Sequence, residues 1–270
     1  MIYLYNMYDE YRDFLKNNRS INIESLPFKS NKNYCGILEH VSKHYGENYL
    51  KLILQEFSHI NQEKILNFCM LNDKYGEPIR YSFNENNFNI TCSPTSLRYV
   101  YHSLLILKHI ENTNCSNIVE VGCGYGGLCL AINYFMSDFS VNINTYNIVD
   151  LSEPINLIEK YLLLHKENIS TEMVYHDSLT YGQNITNNDL FFISNYCYTE
   201  ISIEHNNKYN DLLLSKVKHG FITWQHGGNN GSYPITNAPI ILNKNITKIE
   251  EERPQTDSGY GIHKNYFVYF

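Results

Sequence analysis

From residue 117 onward, the chain alternates between two patterns of apolar residues. Short continuous apolar runs predict buried strands, and stretches with apolar residues three and four positions apart predict amphipathic helices. This alternation predicts an α/β domain with a parallel sheet, whose ligands bind at the carboxyl ends of the strands. Five strands are predicted, at residues 117–121, 143–150, 172–176, 190–194 and 220–224.

The carboxyl end of the chain departs from this alternation. Residues 246–253 and 265–270 predict two further strands that form a hairpin at the edge of the sheet. Together with the five parallel strands, they predict a Rossmann-like, seven-stranded sheet that is parallel except for one antiparallel edge strand.

The amino end is different again. Residues 1–90 show mainly helical spacing, and residues 84–89 are expected to form a loop. We expect 1–90 to be a helical N-terminal domain that serves as a substrate lid, as the contact of a homodimer, or as both. Residues 91–270 then form the α/β domain, entered through a helix that begins at Ser93 and Pro94.

Composition and net charge indicate which broad classes of protein fit this sequence. Hydrophobic residues make up 43% of the 270 positions and charged residues 18%, which is typical of a folded globular protein. The net charge of −7 argues against a general nucleic-acid binder, which carries a basic surface. The sequence shows neither a membrane-length apolar run nor a signal-peptide pattern at its start, so we expect a cytoplasmic protein without membrane association.

A metal site is not expected. The seven cysteines include no C-x-x-C pair, which favours reduced thiols over a zinc site. The acidic run at 250–252 falls on a predicted terminal strand, and we interpret it as exposed charge at the sheet edge rather than as a magnesium site.

The turn after the first predicted strand is the most informative stretch. Residues 122–127 read Gly-Cys-Gly-Tyr-Gly-Gly and lead directly into a helical pattern. Glycine permits positive φ and leaves the backbone bare, and a helix N-terminus offers unpaired N–H groups, so the turn predicts a site for a nucleotide-like cofactor. The spacing G-x-G-x-x-G fits NAD, and S-adenosylmethionine (SAM) sites use a similar turn.

Acidic residues at the ends of three successive strands favour SAM. Glu120 ends the first strand, where a carboxylate can neutralise the ammonium group of SAM. Asp150 ends the second strand, 28 residues after Gly122, and can accept hydrogen bonds from both ribose hydroxyls, whereas the NAD motif places its acid about 20 residues on. Asp177 and Ser178 end the third strand, where they can bind the adenine amino group.

These motifs resemble those of the class I SAM-dependent methyltransferases. Residues 119–126, Val-Glu-Val-Gly-Cys-Gly-Tyr-Gly, are similar to the first motif of that class, with Cys123 where many relatives have Gly. Residues 148–154, Ile-Val-Asp-Leu-Ser-Glu-Pro, are similar to the acidic motif of many O-methyltransferases. Segments 93–102 and 192–201 together resemble the sugar O-methyltransferases of bacterial and giant-virus glycan pathways.

The resemblance implies SAM as cofactor, S-adenosylhomocysteine (SAH) as product and a sugar or nucleotide sugar as the small-molecule substrate. It also implies a set of cofactor-binding residues, among which the ring of Tyr196 can stabilise the sulfonium. These residues are Glu120, Gly122, Cys123, Gly124, Asp150, Leu151, Asp177, Ser178, Asn195 and Tyr196.

Methyl transfer to a hydroxyl requires alignment and benefits from a base, which contributes about 10²–10⁴-fold in rate. Glu200, after the fourth strand, is the first candidate; its alternative role is to stabilise a helix dipole. His226, after the fifth strand, is the second candidate because imidazole titrates near neutral pH. His102 and Tyr198 are further candidates.

Several polar and aromatic residues are candidates for contact with the substrate. Arg98 and His102 are four residues apart on one helix and therefore share a face. Trp224 ends the fifth strand and can stack on a sugar, with a core position as its alternative. The set comprises Arg98, Tyr101, His102, Tyr198 and Trp224.

Two other functions remain open. An NAD(P)-dependent sugar oxidoreductase or epimerase fits the glycine spacing, but such enzymes commonly carry a Tyr-x-x-x-Lys pair where this chain has Tyr196 and Glu200. A non-catalytic methyltransferase-like scaffold would keep the fold without the reaction.

Overall fold

The structure, a computed structural model, describes residues 2–225, 234–256 and 264–270. The elements before Asn117 are α1 (Ile2–Asn17), α2 (Lys32–Ile37), α3 (Lys43–Glu56), α4 (Gln62–Asn72), β1 (Tyr81–Glu85), β2 (Phe88–Cys92) and α5 (Pro94–Ile110). The following elements are β3 (Asn117–Val121), α6 (Gly127–Phe135), β4 (Thr145–Asp150), α7 (Ser152–Leu164), β5 (Glu172–Asp177), β6 (Leu190–Asn195), α8 (Ile203–Leu212), β7 (His219–Trp224), α9 (Ala238–Leu242), β8 (Lys248–Glu251), α10 (Arg253–Thr256) and β9 (Tyr266–Tyr269). None of the helices in the described ranges combines the length and the apolar character that crossing a bilayer requires.

The chain forms two compact units, each of which combines separate stretches of the sequence. Unit 1 contains the chain up to Lys108, Gly124–Ser140 and Asn156–Ile169. Unit 2 contains His109–Cys123, Val141–Ile155 and the chain from Ser170. The N-terminal helices therefore share a unit with α6 and with most of α5 and α7, because α4 packs against α6.

In unit 1, residues 81–92 form a β-hairpin. Strands β1 and β2 pair antiparallel, with Phe83 opposite Ile90. Asn86 and Asn87 have φ values of +50° and +65°, as a two-residue type I′ turn requires, and Asn tolerates this conformation. The predicted loop at 84–89 is therefore wrong outside the turn itself, because the Asn-Asn pair is a hairpin signal.

Unit 2 is built on a seven-stranded sheet with the order β5-β4-β3-β6-β7-β9-β8. Strands β3 to β7 pair in parallel, which confirms the predicted α/β class with a mainly parallel sheet. The chain runs outward from β3 to β5 and then crosses to the other side of β3 with β6. The strand order thus reverses between β3 and β6, and open α/β sheets bind ligands at the carboxyl ends of strands at such a point.

The terminal strands form the predicted hairpin, in which β8 pairs antiparallel with β9. Strand β9 also pairs antiparallel with β7, so the antiparallel strand lies inside the sheet and β8 forms its edge. The prediction of an antiparallel edge strand is corrected in this respect. The arrangement suits the sequence of β9, because Tyr-Phe-Val-Tyr is apolar.

Candidate active site

The turn after β3 has a conformation that favours glycine. Gly122 has a φ of +79°, and its N–H donates to the carbonyl oxygen of Val149 at 3.1 Å. A Cβ at this position would lie 2.3 Å from both Cβ and Sγ of Cys197. Gly122 is therefore required by the close approach of the segment after β6.

The following glycine of the turn belongs to unit 1. Gly124 has a φ of +63°, and a Cβ on it would lie 2.9 Å from Cδ1 of Leu38. Protein side chains thus occupy positions beside two of the glycines that the sequence alone assigns to a cofactor.

Glu120, at the end of β3, is a buried carboxylate with 1% of its surface exposed. Its Oε2 accepts a hydrogen bond from the hydroxyl of Tyr146 at 2.6 Å. Burial raises the pKa of Glu120 to about 7; the hydrogen bonds from Tyr146 and Cys123 oppose this rise, and the charge of Asp150 adds to it. A buried carboxylate of this kind is stabilised by a cationic group placed beside it.

Asp150 connects the end of β4 to the glycine turn. Its Oδ2 accepts a hydrogen bond from the backbone N–H of Cys123, and its Oδ1 accepts one from the N–H of Leu151, both at 2.8 Å. The carboxylate thus ties the end of β4 to the glycine turn at the carboxyl edge of the sheet.

Asp177 is the register partner of Asp150 on the neighbouring strand β5, which places the two acids side by side at the carboxyl edge of the sheet. Oδ1 of Asp177 accepts a hydrogen bond from the N–H of Leu179 at 2.8 Å. Ser178 follows directly and is half-buried, as Asp177 is.

Cys197 is a neighbour of three predicted acidic residues, although the sequence did not single it out. Burial raises the pKa of its thiol, and the charges of Asp150, Glu200 and Glu120 raise it further. The charges of residues on β3, on β4 and after β6 therefore act on one side chain. No sequence signal indicates this, because these segments are far apart along the chain.

Ser194 holds the segment after β6 against the end of β3. Its hydroxyl donates to the carbonyl oxygen of Val121 at 3.0 Å and accepts a hydrogen bond from the N–H of Tyr198 at 3.0 Å. The first turn after β6 is thereby fixed.

The residues between β6 and α8 show a constrained backbone. Tyr196 has a φ of +62°, which is uncommon for a residue other than glycine and typical of functional or tightly packed segments. Oδ1 of Asn195 accepts a hydrogen bond from the hydroxyl of Thr223 at 2.6 Å. With its amide nitrogen facing the acceptors, Gln225 donates to the carbonyl oxygen of Tyr196 at 3.0 Å and to Oε1 of Glu200 at 3.1 Å.

Two predicted substrate contacts of unit 2 lie in its core. Trp224 is 1% exposed and Tyr198 is 0% exposed, with 6.0 Å between their ring centroids. The hydroxyl of Tyr198 donates to Oδ1 of Asn210 at 2.8 Å. Trp224 therefore lies in the core, which was the alternative to a stacking role, because its ring has no exposed face.

The predicted substrate contacts on α5 are buried within unit 1. Arg98 is 1% exposed, and its Nη2 donates to the carbonyl oxygen of Leu38 at 2.9 Å. The hydroxyl of Tyr101 donates to Oε2 of Glu56 at 3.1 Å, and His102 is 0% exposed. Of these three, Arg98 alone adjoins the glycine turn, through Leu38.

His226, the second candidate base, lies outside the described residues. Across the ranges that the structure describes, no group of three or more His, Cys, Asp or Glu side chains is arranged to hold a metal ion. The interpretation of the acidic run as exposed charge is corrected at Glu252, which is fully buried and whose N–H donates to the carbonyl oxygen of Asn265 at 2.9 Å.

No known protein-family model matches the sequence, and no curated protein sequence matches it. Among solved structures, the small RNA methyltransferase HEN1 matches with a TM-score of 0.47 and 13% identity over 62% of this chain and 24% of that chain, so this chain spans about a quarter of the length of HEN1. The N-terminal domain of EvdMO1 with SAH bound matches with a TM-score of 0.45 and 11% identity over 78% of this chain and 96% of that chain. A SAM-dependent methyltransferase from Clostridium acetobutylicum ATCC 824 matches with a TM-score of 0.44 and 9% identity over 83% of this chain and 97% of that chain.

Proposed function

We propose that this chain is a SAM-dependent methyltransferase that acts on a hydroxyl group of a sugar or nucleotide sugar in glycan biosynthesis. The observation that carries the proposal is the buried carboxylate of Glu120, whose pKa is raised to about 7 at the carboxyl end of β3. The ammonium group of SAM would pair with this carboxylate by a charge-assisted hydrogen bond. The nicotinamide cofactors lack an ammonium group for this position.

The neighbouring acids fit the other parts of the same cofactor. Asp150, which binds the backbone of the glycine turn at the carboxyl end of β4, is proposed to accept hydrogen bonds from the ribose hydroxyls. Asp177 and Ser178, one strand further out, are proposed to bind the adenine. When bound, SAM supplies a methyl group on a sulfonium.

Glu200 is the proposed general base. Gln225 orients its carboxylate by a hydrogen bond to Oε1. The carboxylate of Glu200 would take the proton of the acceptor hydroxyl, and SAM, when bound, would supply the methyl group to the acceptor oxygen with loss of its methyl–sulfur bond, leaving SAH. The sugar class of the acceptor is supported by the resemblance of segments 93–102 and 192–201.

Isothermal titration calorimetry with SAM, SAH and NAD tests the cofactor. We expect micromolar binding of SAM and SAH and none of NAD. Asp150→Ala should weaken SAM binding by at least about tenfold, because hydrogen bonds to a charged group contribute about 1.5–3 kcal/mol each. Binding of NAD without binding of SAM would overturn the proposal in favour of the oxidoreductase alternative.

Transfer of a labelled methyl group from SAM to a panel of monosaccharides and nucleotide sugars tests the reaction. We expect turnover of at least one member, and a decrease of about 10²–10⁴-fold in Glu200→Gln with unchanged SAM binding. Glu204→Gln, an exposed position in the first turn of α8, is the matched control. A rate for Glu200→Gln equal to that of the wild type would exclude Glu200 as the base.

A further inference from the structure

The turn after β5, residues 177–181, carries the proposed adenine contacts Asp177 and Ser178. Within this turn, Oγ1 of Thr180 donates to the carbonyl oxygen of Asp177 at 2.7 Å, and the N–H of Tyr181 donates to the carbonyl oxygen of Ser178 at 3.0 Å. These bonds join neighbours in the sequence, so they shape the turn but do not fix its place in unit 2. Contacts with another element of the same unit, helix α8, supply that placement.

Tyr209, in the last turn of α8, makes the first of these contacts. It is 3% exposed, and its hydroxyl donates to the carbonyl oxygen of Ser178 at 3.4 Å. Burial raises the pKa of Tyr209, and the charges of Cys197 and Asp150 raise it further, so the hydroxyl stays protonated and remains a donor. Tyr209 therefore connects α8 to a residue that is proposed to bind the adenine.

The ring of Tyr181 makes the second contact. Its hydroxyl shares a hydrogen bond with Nδ1 of His205 on α8 at 2.7 Å, and the two rings stack with 5.7 Å between their centroids. The same ring lies edge-on to Tyr209, with 5.2 Å between the centroids. Two rings of α8 thus contact the last residue of the turn.

The backbone at this contact has an uncommon conformation. Tyr181 has a φ of +49°, and such a conformation in a residue other than glycine persists only where the surrounding structure holds it. Gly182 follows with a φ of +70°, and a Cβ on it would lie 3.0 Å from Cδ2 of Leu213, which comes directly after α8. The contacts with α8 therefore coincide with a bend that the turn does not favour by itself.

The position of these side chains separates them from the core. His205 is exposed and Tyr181 is half-buried, so their pairing contributes little to the stability of unit 2 as a whole. The same helix also holds the segment after β6, because Nδ2 of Asn206 donates to the carbonyl oxygen of Tyr198 at 3.1 Å. One helix thus contacts both the turn with the proposed adenine contacts and the segment with the proposed base.

We propose that three side chains, those of Tyr181, His205 and Tyr209, position the turn after β5 for the adenine of the cofactor. This inference rests on the proposed function and extends it to residues that carry no sequence motif. Because the three side chains act on the adenine end of the site, they should determine the affinity for the cofactor. The rate of methyl transfer at saturating SAM should not depend on them.

Tyr209→Phe and Tyr181→Phe test the proposal because each removes one hydroxyl of the contact with α8. Calorimetry should show SAH binding about 2- to 12-fold weaker in each variant, as expected for the loss of one net hydrogen bond. S-inosylhomocysteine, which has a carbonyl oxygen in place of the adenine amino group, should bind the wild type more weakly than SAH does. The difference between the two ligands should be smaller in the variants, and kcat at saturating SAM should be unchanged. Tyr266→Phe, a half-buried position on β9, should behave as the wild type.

Hydrogen exchange of the ligand-free protein tests the placement of the turn without any cofactor. The amide of Tyr181 should exchange about 2- to 12-fold faster in Tyr209→Phe and in His205→Ala, and Asn207→Ala, an exposed position on α8, should leave it unchanged. Unchanged exchange in both variants, or a wild-type affinity for SAH in both tyrosine variants, would overturn the positioning role. If the wild type does not bind SAH but the exchange changes as expected, the proposed function is wrong and the placement of the turn by α8 is supported.

Discussion

Glu120→Gln is expected to weaken SAM binding by about 10- to 150-fold, which corresponds to the loss of about 1.5–3 kcal/mol from a hydrogen bond to a charged group. Glutamine keeps the shape of the side chain and can still accept the hydrogen bond from Tyr146, but it offers no charge to an ammonium group. Calorimetry measures the effect. Glu172→Gln, an exposed position at the amino end of β5, is the matched control and should bind SAM as the wild type does.

The same substitution should change the pH dependence of stability in the ligand-free protein. The pKa of Glu120 is raised from 4.5 to about 7 by burial, so its contribution to stability is fully present below pH 4.5 and is lost as the pH rises through 7. The full loss is about 3 kcal/mol, because one pKa unit corresponds to about 1.4 kcal/mol.

Urea unfolding at about pH 5 and about pH 8 measures this contribution through the free energy of unfolding in water. From pH 5 to pH 8, the free energy of unfolding should decrease more in the wild type than in Glu120→Gln. This difference does not depend on how much the substitution itself destabilises the protein. Saturating SAM should reduce the loss, since a bound ammonium group stabilises the charged carboxylate. If the free energy of unfolding changes with pH in the same way in the two ligand-free proteins, the pKa of Glu120 is not raised by burial. The main observation in favour of SAM would then be wrong.

Much of the strand framework could be predicted from the sequence, because apolar runs and their spacing determine where parallel strands end. Asp150 and Asp177 were placed at the ends of successive strands by pattern alone, and the register pairs them directly. The predicted position of a strand in the sheet is wrong where packing against other strands, rather than the spacing of apolar residues, determines that position. Strand β9 is an example. Its sequence is apolar throughout, which suits a position inside the sheet, but periodicity alone does not indicate that position.

The contacts between distant segments could not be predicted. Cys197 against Gly122 and Leu38 against Gly124 join residues that no motif connects. The type of a residue also does not predict whether it is exposed or buried. Trp224 and His102 have side chains suited to a sugar site, yet both are almost fully buried.

Gly122→Ala is expected to destabilise the protein by about 2–5 kcal/mol and to abolish SAM binding. Two separate causes add. A side chain at a φ of +79° costs about 1–2 kcal/mol, and a Cβ placed 2.3 Å from Cβ and Sγ of Cys197 forces a rearrangement of the kind that costs about 1–3 kcal/mol in packed cores. Displacement of Cys197 would also disturb the segment that carries Glu200. Urea unfolding and SAM calorimetry measure the two effects.

The double variant Gly122→Ala with Cys197→Gly separates these causes, because it removes the clashing atoms and leaves the backbone strain. We expect it to recover the steric part of the lost stability relative to Cys197→Gly alone, while the cost of the positive φ remains. Gly36→Ala, in the middle of α2 and without a positive φ, is the matched control and should be neutral or stabilising by about 0.5–1 kcal/mol. If the double variant is as unstable as the sum of its single variants, Cys197 is not what excludes a side chain at position 122.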